Sequence, residues 1–106
     1  METINSLISA GLNEKQALIY DSLLKKGRKK ASDIAYDCNI TRPLVYKILD
    51  ELIALELVSV NKTKKVVEYS ANHPNKLYDL VEQKENDLKK SKEKLETNLP
   101  AIVSQY

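Results

Sequence analysis

The sequence predicts a mainly α-helical chain with one small β-hairpin, closing in a long helix. Three observations predict it. Apolar residues recur at helical spacing in short segments up to about residue 56, each preceded by a residue suited to start a helix. The period then shifts to strand-like runs at 57–60 and 66–69. From Asn75 onward a charge-rich segment carries apolar residues three or four positions apart. A length of 106 residues suits a single domain, and an apolar content of 42% argues against a disordered chain.

Taken in order, Ile4, Leu7 and Ile8 predict a short opening helix that stops at Gly11. Asn13 is placed to cap a second helix, with Gln16 completing a capping box. Ala17, Leu18, Tyr20, Leu23 and Leu24 form its apolar side, and Gly27 suits the position after its end. Ser32 is expected to cap a short helix, Asp33 to Cys38, that turns Ile34, Ala35 and Cys38 inward and ends at Asn39. Thr41 caps the next helix, which runs to about Glu56 with Pro43 in its first turn. Its apolar stripe is Val45, Ile48, Leu49, Leu52 and Leu55, and Arg42, Tyr46, Lys47 and Asp50 lie opposite. Two such helices joined by Asn39-Ile40 read as a helix-turn-helix.

The runs Leu57–Val60 and Val66–Tyr69, separated by Asn61-Lys62-Thr63-Lys64-Lys65, predict a hairpin with a basic tip. A hairpin directly after a helix-turn-helix is a wing. The fold class is therefore a winged helix-turn-helix, residues 1–73, followed by a long C-terminal helix for dimerisation, residues 74–106. The final helix, from Asn75 to about Asn98, spans roughly 36 Å. Its candidate seam is Leu77, Val81, Lys84, Leu88, Ser91, Leu95, Asn98 and Ile102, thickened by Leu80 and Leu99. The polar seam positions make it a weak coiled coil, and Pro100 is expected to end or kink it. Leu77, Val81, Leu88, Leu95, Leu99 and Ile102 are the candidate dimer contacts.

Charge is informative by segment. The formal net charge is only +2. Between Arg28 and Lys65, however, eight basic residues (Arg28, Lys29, Lys30, Arg42, Lys47, Lys62, Lys64, Lys65) face five acids (Asp33, Asp37, Asp50, Glu51, Glu56). Residues 1–27 and 76–96 are each balanced. A confined basic excess is the footprint of a nucleic-acid binder, or ordinary solvated surface. Other chemistries lack parts. A single histidine (His73, beside Pro74, where a turn is expected), a single cysteine (Cys38, expected as a small buried hydrophobe) and two separated glycines offer no catalytic triad, metal cluster or phosphate loop. No enzymatic role, catalytic residue, metal or cofactor is expected. Neither a membrane-length apolar run nor a signal-peptide layout is present, and a cytoplasmic location is expected.

Arg42 can address a guanine edge or a phosphate, and Thr41 with the helix N-terminus can hold a phosphate. Tyr46, one turn on, offers its hydroxyl and ring to a base or plugs the junction of helix and wing. Lys47 is a phosphate candidate, as are Lys62, Lys64 and Lys65 on the wing, unless these serve solubility or edge protection. Arg28, Lys29 and Lys30 precede the short helix where such folds approach the backbone. Asp50 and Glu51 repel phosphate, so the DNA-facing surface should stop before them.

Several stretches together resemble the N-terminal domain of TrmB-like archaeal transcriptional regulators. They are Gly11-Leu12-Asn13-Glu14-Lys15-Gln16-Ala17 with Tyr20 and Leu23-Leu24; Ala31-Ser32-Asp33-Ile34-Ala35; Ile40, Arg42 and Val45-Tyr46-Lys47-Ile48-Leu49; and Leu55-Glu56-Leu57-Val58. Leu99-Pro100 through Tyr106 resembles the helix end leading to that family's effector domain. The resemblance implies a DNA-binding winged helix dimerised through its last helix. Thr41 stands where the family often has proline, and Pro43-Leu44 replaces a small or polar pair, so base contacts are not carried over there. The sugar-sensing domain of longer members has no counterpart in these residues, which suits a short stand-alone member or an excised domain. The expected partners are double-stranded DNA, at a palindromic operator, and a second copy of the chain. No effector is assigned. The alternative reading is a winged helix used for protein contact, favoured by Asp50, Glu51 and Glu56.

Overall fold

The structure, a computed structural model, describes residues 2–106. Its elements run α1 (Glu2–Ala10), α2 (Glu14–Lys26), β1 (Lys29–Lys30), α3 (Ala31–Cys38), α4 (Arg42–Ala54), β2 (Val58–Lys62), β3 (Val67–Ala71) and α5 (Lys76–Ser104). Helices α2 to α4 pack over a three-stranded antiparallel sheet in the order β1-β3-β2, and α1 packs on α2 and α5. The hairpin β2–β3 follows the α3–α4 pair, which makes the fold a winged helix-turn-helix carrying a long C-terminal helix.

Local chemistry sets the helix ends. At the start of α2, Gln16 N–H donates to the Asn13 side chain at 2.8 Å and Asn13 N–H donates to Gln16 Oε1 at 3.0 Å, the reciprocal box expected. Three helices then stop in the same way. Gly11, Asn39 and Glu56 have φ of 128°, 55° and 62°, and each is followed by a buried residue, Leu12, Ile40 or Leu57. The N–H groups of Leu12, Ile40 and Leu57 reach back to the carbonyls of Leu7, Ala35 and Leu52 at 3.1, 3.1 and 3.0 Å. This closes otherwise orphaned carbonyls and drives an apolar side chain into the core. The core centres on Ile19, Tyr20, Leu23, Ile34, Val45, Leu49, Leu52, Leu57 and Val58.

Several expectations are corrected. Helix α3 begins at Ala31 with Lys30 in the capping position, so Ser32 lies inside the first turn and does not cap. Thr41 does hold the capping position of α4, without a side-chain bond. On α2 Ile19 is buried along with Ala17, Tyr20 and Leu23, while Leu24 is exposed; on α4 Leu55 is exposed and Leu57, just beyond, is buried. Cys38 is half-buried: its thiol donates to the Leu18 carbonyl at 3.7 Å, and burial raises its pKa. His73 stands in the turn before α5, its Nδ1 accepting from Asn75 N–H at 3.1 Å. The wing strands are longer than expected, and the turn between them is closed by Thr63 N–H donating to the Val66 carbonyl at 2.9 Å. Lys62 is consequently a strand residue opposite Val67, and only Lys64 and Lys65 occupy the tip.

Asn72 fastens the base of the wing. Its Oδ1 accepts from Ser59 at 2.6 Å, its Nδ2 donates to the Glu56 carbonyl at 2.8 Å, and its carbonyl accepts from the buried Tyr20 hydroxyl at 2.9 Å. Helix α5 then leaves the domain. Leu77 and Leu80 pack on the core of their own domain, and Lys84 lies over Gly11 at the end of α1. Leu77 is therefore a core contact, and Lys84 points to α1. Past them every residue is exposed, including Leu88, Leu95, Leu99 and Ile102. Pro100 does not end the helix: α5 continues to Ser104, about 43 Å in all. The carbonyl that Pro100 leaves without a donor, on Glu96, stands in an exposed stretch where water can bond it. The radius of gyration of 18.0 Å, against about 13 Å for a compact chain of this length, records how far α5 projects.

Candidate nucleic-acid interface

The exposed side of α4 is a ridge carrying Arg42, Pro43, Tyr46, Lys47 and Asp50, with a depression on each flank. The wing-side groove is lined by Lys30, Ala31, Ser32, Arg42, Tyr46, Lys65, Val66 and Val67. It brings together four of the sequence candidates from three separate stretches: Lys30, Arg42, Tyr46 and Lys65. None of its lining residues is acidic. Glu68 stands opposite Lys30 in the β1–β3 register, outside the lining and without an ion pair to it.

Each side chain is placed by its own element. Lys30 owes its place to β1, which the sequence did not foretell. Neighbours on a strand point to opposite faces. Lys30 is exposed and lines the groove, whereas Lys29 is half-buried with its ammonium bound by Asp37 on α3. Lys29 is thus drawn into the scaffold and withdrawn from the contact set. Arg42 opens α4, and its Nη2 donates to the Tyr46 hydroxyl at 3.4 Å while the guanidinium lies 5.9 Å from the ring centre. Tyr46 is 42% exposed and lines the wing-side groove. Burial raises the Tyr69 phenol, and the nearby Tyr46 and Asp50 push the same way.

The remaining candidates do not converge there. Lys47 lies on the other flank of α4, where Asn13, Glu14, Lys15, Leu44, Ile48 and Glu51 complete the depression. Glu51 is held by Gln16, whose Nε2 donates to it at 3.2 Å. Lys62 and Lys64 are exposed along the wing, Thr41 is exposed at the start of α4, and Arg28 is exposed in the bend before β1. Ser32 lines the groove, a place that its resemblance to a helix cap hides in the sequence. The signal available was the hydrophobic Ala31-Ile34 spacing, which starts the helix two residues earlier, at Ala31. Tyr36 of α3, 88% exposed, also stands outside the sequence candidates.

Among the described residues no cluster of histidine, cysteine or acidic side chains is suited to a metal, and no helix is long and apolar enough to cross a membrane. A helix-turn-helix followed by a hairpin wing defines the winged-helix fold class. A family model described as sugar-specific transcriptional regulator TrmB matches residues 7–86. The chain belongs to the TrmB family.

Solved structures agree on the fold. TrmBL2, described as an archaeal chromatin protein with a novel mode of DNA binding, superposes with a TM-score of 0.77 at 19% identity over 98% of this chain, which spans 41% of that protein. YusO from Bacillus subtilis gives a TM-score of 0.60 at 20% identity, covering 99% of this chain and 83% of its own. NolR from Sinorhizobium fredii gives 0.57 at 26% identity, covering 77% and 82%. No curated protein matches the chain in sequence.

Proposed function

We propose that the chain is a homodimeric regulator that binds double-stranded DNA at a palindromic operator, with α4 in the major groove and the wing along the backbone. The observation that carries this reading is the convergence of Lys30, Arg42 and Lys65 on one groove without acids. Such a groove beside an exposed helix suits a phosphate strand. A helix about 10–12 Å across also matches the roughly 12 Å width of the major groove. In this arrangement Arg42 and Tyr46 face base edges. Lys30 and Lys65 meet the near backbone with Thr41 and Arg28 at its margin, Lys62 and Lys64 extend the contact along the wing, and Lys47 meets the far strand. TrmBL2, of the same fold, is described as binding DNA. No catalytic step and no cofactor enters the proposal, and its place of action is the cytoplasm.

The dimer rests on α5. Val81 is half-buried, and Leu88, Leu95, Leu99 and Ile102 stand in water on the part of α5 past Lys84, where every residue is exposed. Isolated charge-rich helices have little stability of their own, so pairing two copies is the economical cover for that stripe. A two-fold pair sets the recognition helices for half-sites about one DNA turn apart. The protein-contact alternative loses support because Glu51 is occupied by Gln16 and Glu56 lies in the turn at the far end of α4 from Arg42.

Selection from a pool of random duplexes tests the reading. The expected product is a palindromic motif bound at least about 1,000-fold more tightly than a scrambled duplex. A pool that enriches no motif overturns sequence-specific binding and leaves the protein-contact alternative.

A further inference from the structure

We infer that Tyr46 is a positioning residue for Arg42: its ring and hydroxyl hold the guanidinium on the ridge of α4, aimed at a guanine edge in the major groove and away from the phosphates. The inference rests on the DNA-binding reading above and assigns the division of labour inside that site.

Arginine at the first position of a recognition helix has two competing targets. Phosphate oxygens are close, numerous and identical along any duplex. A guanine edge presents its N7 and O6 acceptors at one place only. A loose arginine on its long stem meets phosphates first, and a contact of that kind carries no sequence information. Reading a guanine bidentately needs the guanidinium plane fixed beforehand.

Tyr46 supplies that restraint. It is one helical turn beyond Arg42, the spacing at which two side chains on a helix meet. Its hydroxyl accepts from Arg42 Nη2 at 3.4 Å, and the guanidinium carbon lies 5.9 Å from its ring centre, within cation–π range. Tyr46 is 42% exposed and lines the wing-side groove together with Arg42. The same groove carries Lys30 and Lys65, whose like charge opposes any swing of Arg42 toward the backbone strand they would hold. Pro43, next in the chain, has no N–H, which makes the start of α4 a poorer phosphate cradle. Phosphates thus fall to the lysines and the base edge to the arginine.

The test uses the full chain and the motif enriched by selection. Affinities are measured for wild type, Arg42→Ala, Tyr46→Ala, Tyr46→Phe and the Arg42→Ala/Tyr46→Ala pair, on the selected duplex and on duplexes changed one base pair at a time. In the wild type, one G·C pair per half-site is expected to be worth about tenfold or more in affinity. Tyr46→Ala should reduce that preference to a few-fold at this pair alone, with the salt dependence unchanged. Tyr46→Phe should keep most of it through the ring. The double variant should match Arg42→Ala, showing that the two act as one unit. Thermal unfolding separates a packing role. If Tyr46→Ala weakens all duplexes equally, at an intact or a lowered melting temperature, Tyr46 positions nothing and the inference falls. It falls also if Arg42→Ala lowers the salt slope without touching base preference, because Arg42 is then a phosphate contact; the DNA-binding reading survives that result. A wild type with no base preference overturns both.

Discussion

Replacing Tyr20 by phenylalanine removes one oxygen from the centre of the fold and tests how the wing is fastened. Tyr20 is fully buried, and its hydroxyl donates to the Asn72 carbonyl at 2.9 Å, joining α2 to the residue that also bonds Ser59 and the Glu56 carbonyl. The ring stays in phenylalanine, so no large cavity opens. The loss is the net worth of one hydrogen bond plus part of the desolvation of a half-buried carbonyl, about 1–2 kcal/mol. For a domain of this size that lowers the melting temperature by about 4–12 °C. Burial also raises the Tyr20 phenol above its ordinary value of 10.0. A group with a raised folded pKa contributes stability that is fully present below its unfolded pKa and is lost as pH rises through the folded one. Stability should therefore fall above about pH 10 in the wild type. That fall should be smaller in the variant, with a remainder from Tyr69, whose phenol is also raised. Urea unfolding followed by circular dichroism at neutral pH and through the alkaline range gives both numbers. A variant within about 0.5 kcal/mol of wild type, with an unchanged alkaline limb, would refute the fastening.

Two further substitutions probe other parts of the account. Glu56 holds φ of 62°, a conformation that costs a non-glycine residue about 1 kcal/mol or more, so Glu56→Gly should stabilise the chain by about 0.5–1 kcal/mol; a lower unfolding midpoint would show that the glutamate side chain earns its place there. Leu88→Lys with Leu95→Lys should give a monomer by sedimentation, with the circular-dichroism signature and core stability of the winged domain retained, because neither side chain touches that core; an unaltered sedimentation coefficient in the variant removes α5 from the dimer interface.

What could be read from the sequence is what short-range chemistry decides. The Asn13–Gln16 box, the helix stops at Gly11 and Asn39, the wing and the long charged helix each depend on residues within a few positions of one another. Strand β1 could not be read this way. It has two residues, both lysines, and exists because Lys29 and Lys30 pair with Tyr69 and Glu68 nearly forty residues later. That single pairing decides the fate of the basic cluster, sending Lys29 to Asp37 and Lys30 to the groove. Glu56 hid a helix stop, because glutamate is not a residue that signals a left-handed conformation. Leu77 illustrates the converse. Its heptad spacing is real, and the packing of α5 on its own domain half-buries it as well. Pro100 misled for the same kind of reason: the cost of a missing donor depends on whether the carbonyl left behind is buried, and here it is exposed.

Lys30 and Lys65 are proposed to form a phosphate site beside α4, and the salt dependence of duplex affinity reads that site out. Each phosphate contact contributes about 0.9 to the slope of log affinity against log salt. The wild type should show a steep negative slope, and Lys30→Ala with Lys65→Ala, which removes two contacts from each of two protomers, should make it shallower by about 3.6 while binding to every duplex weakens alike. A double variant with the wild-type slope, or a wild type whose affinity does not respond to salt, would contradict the account.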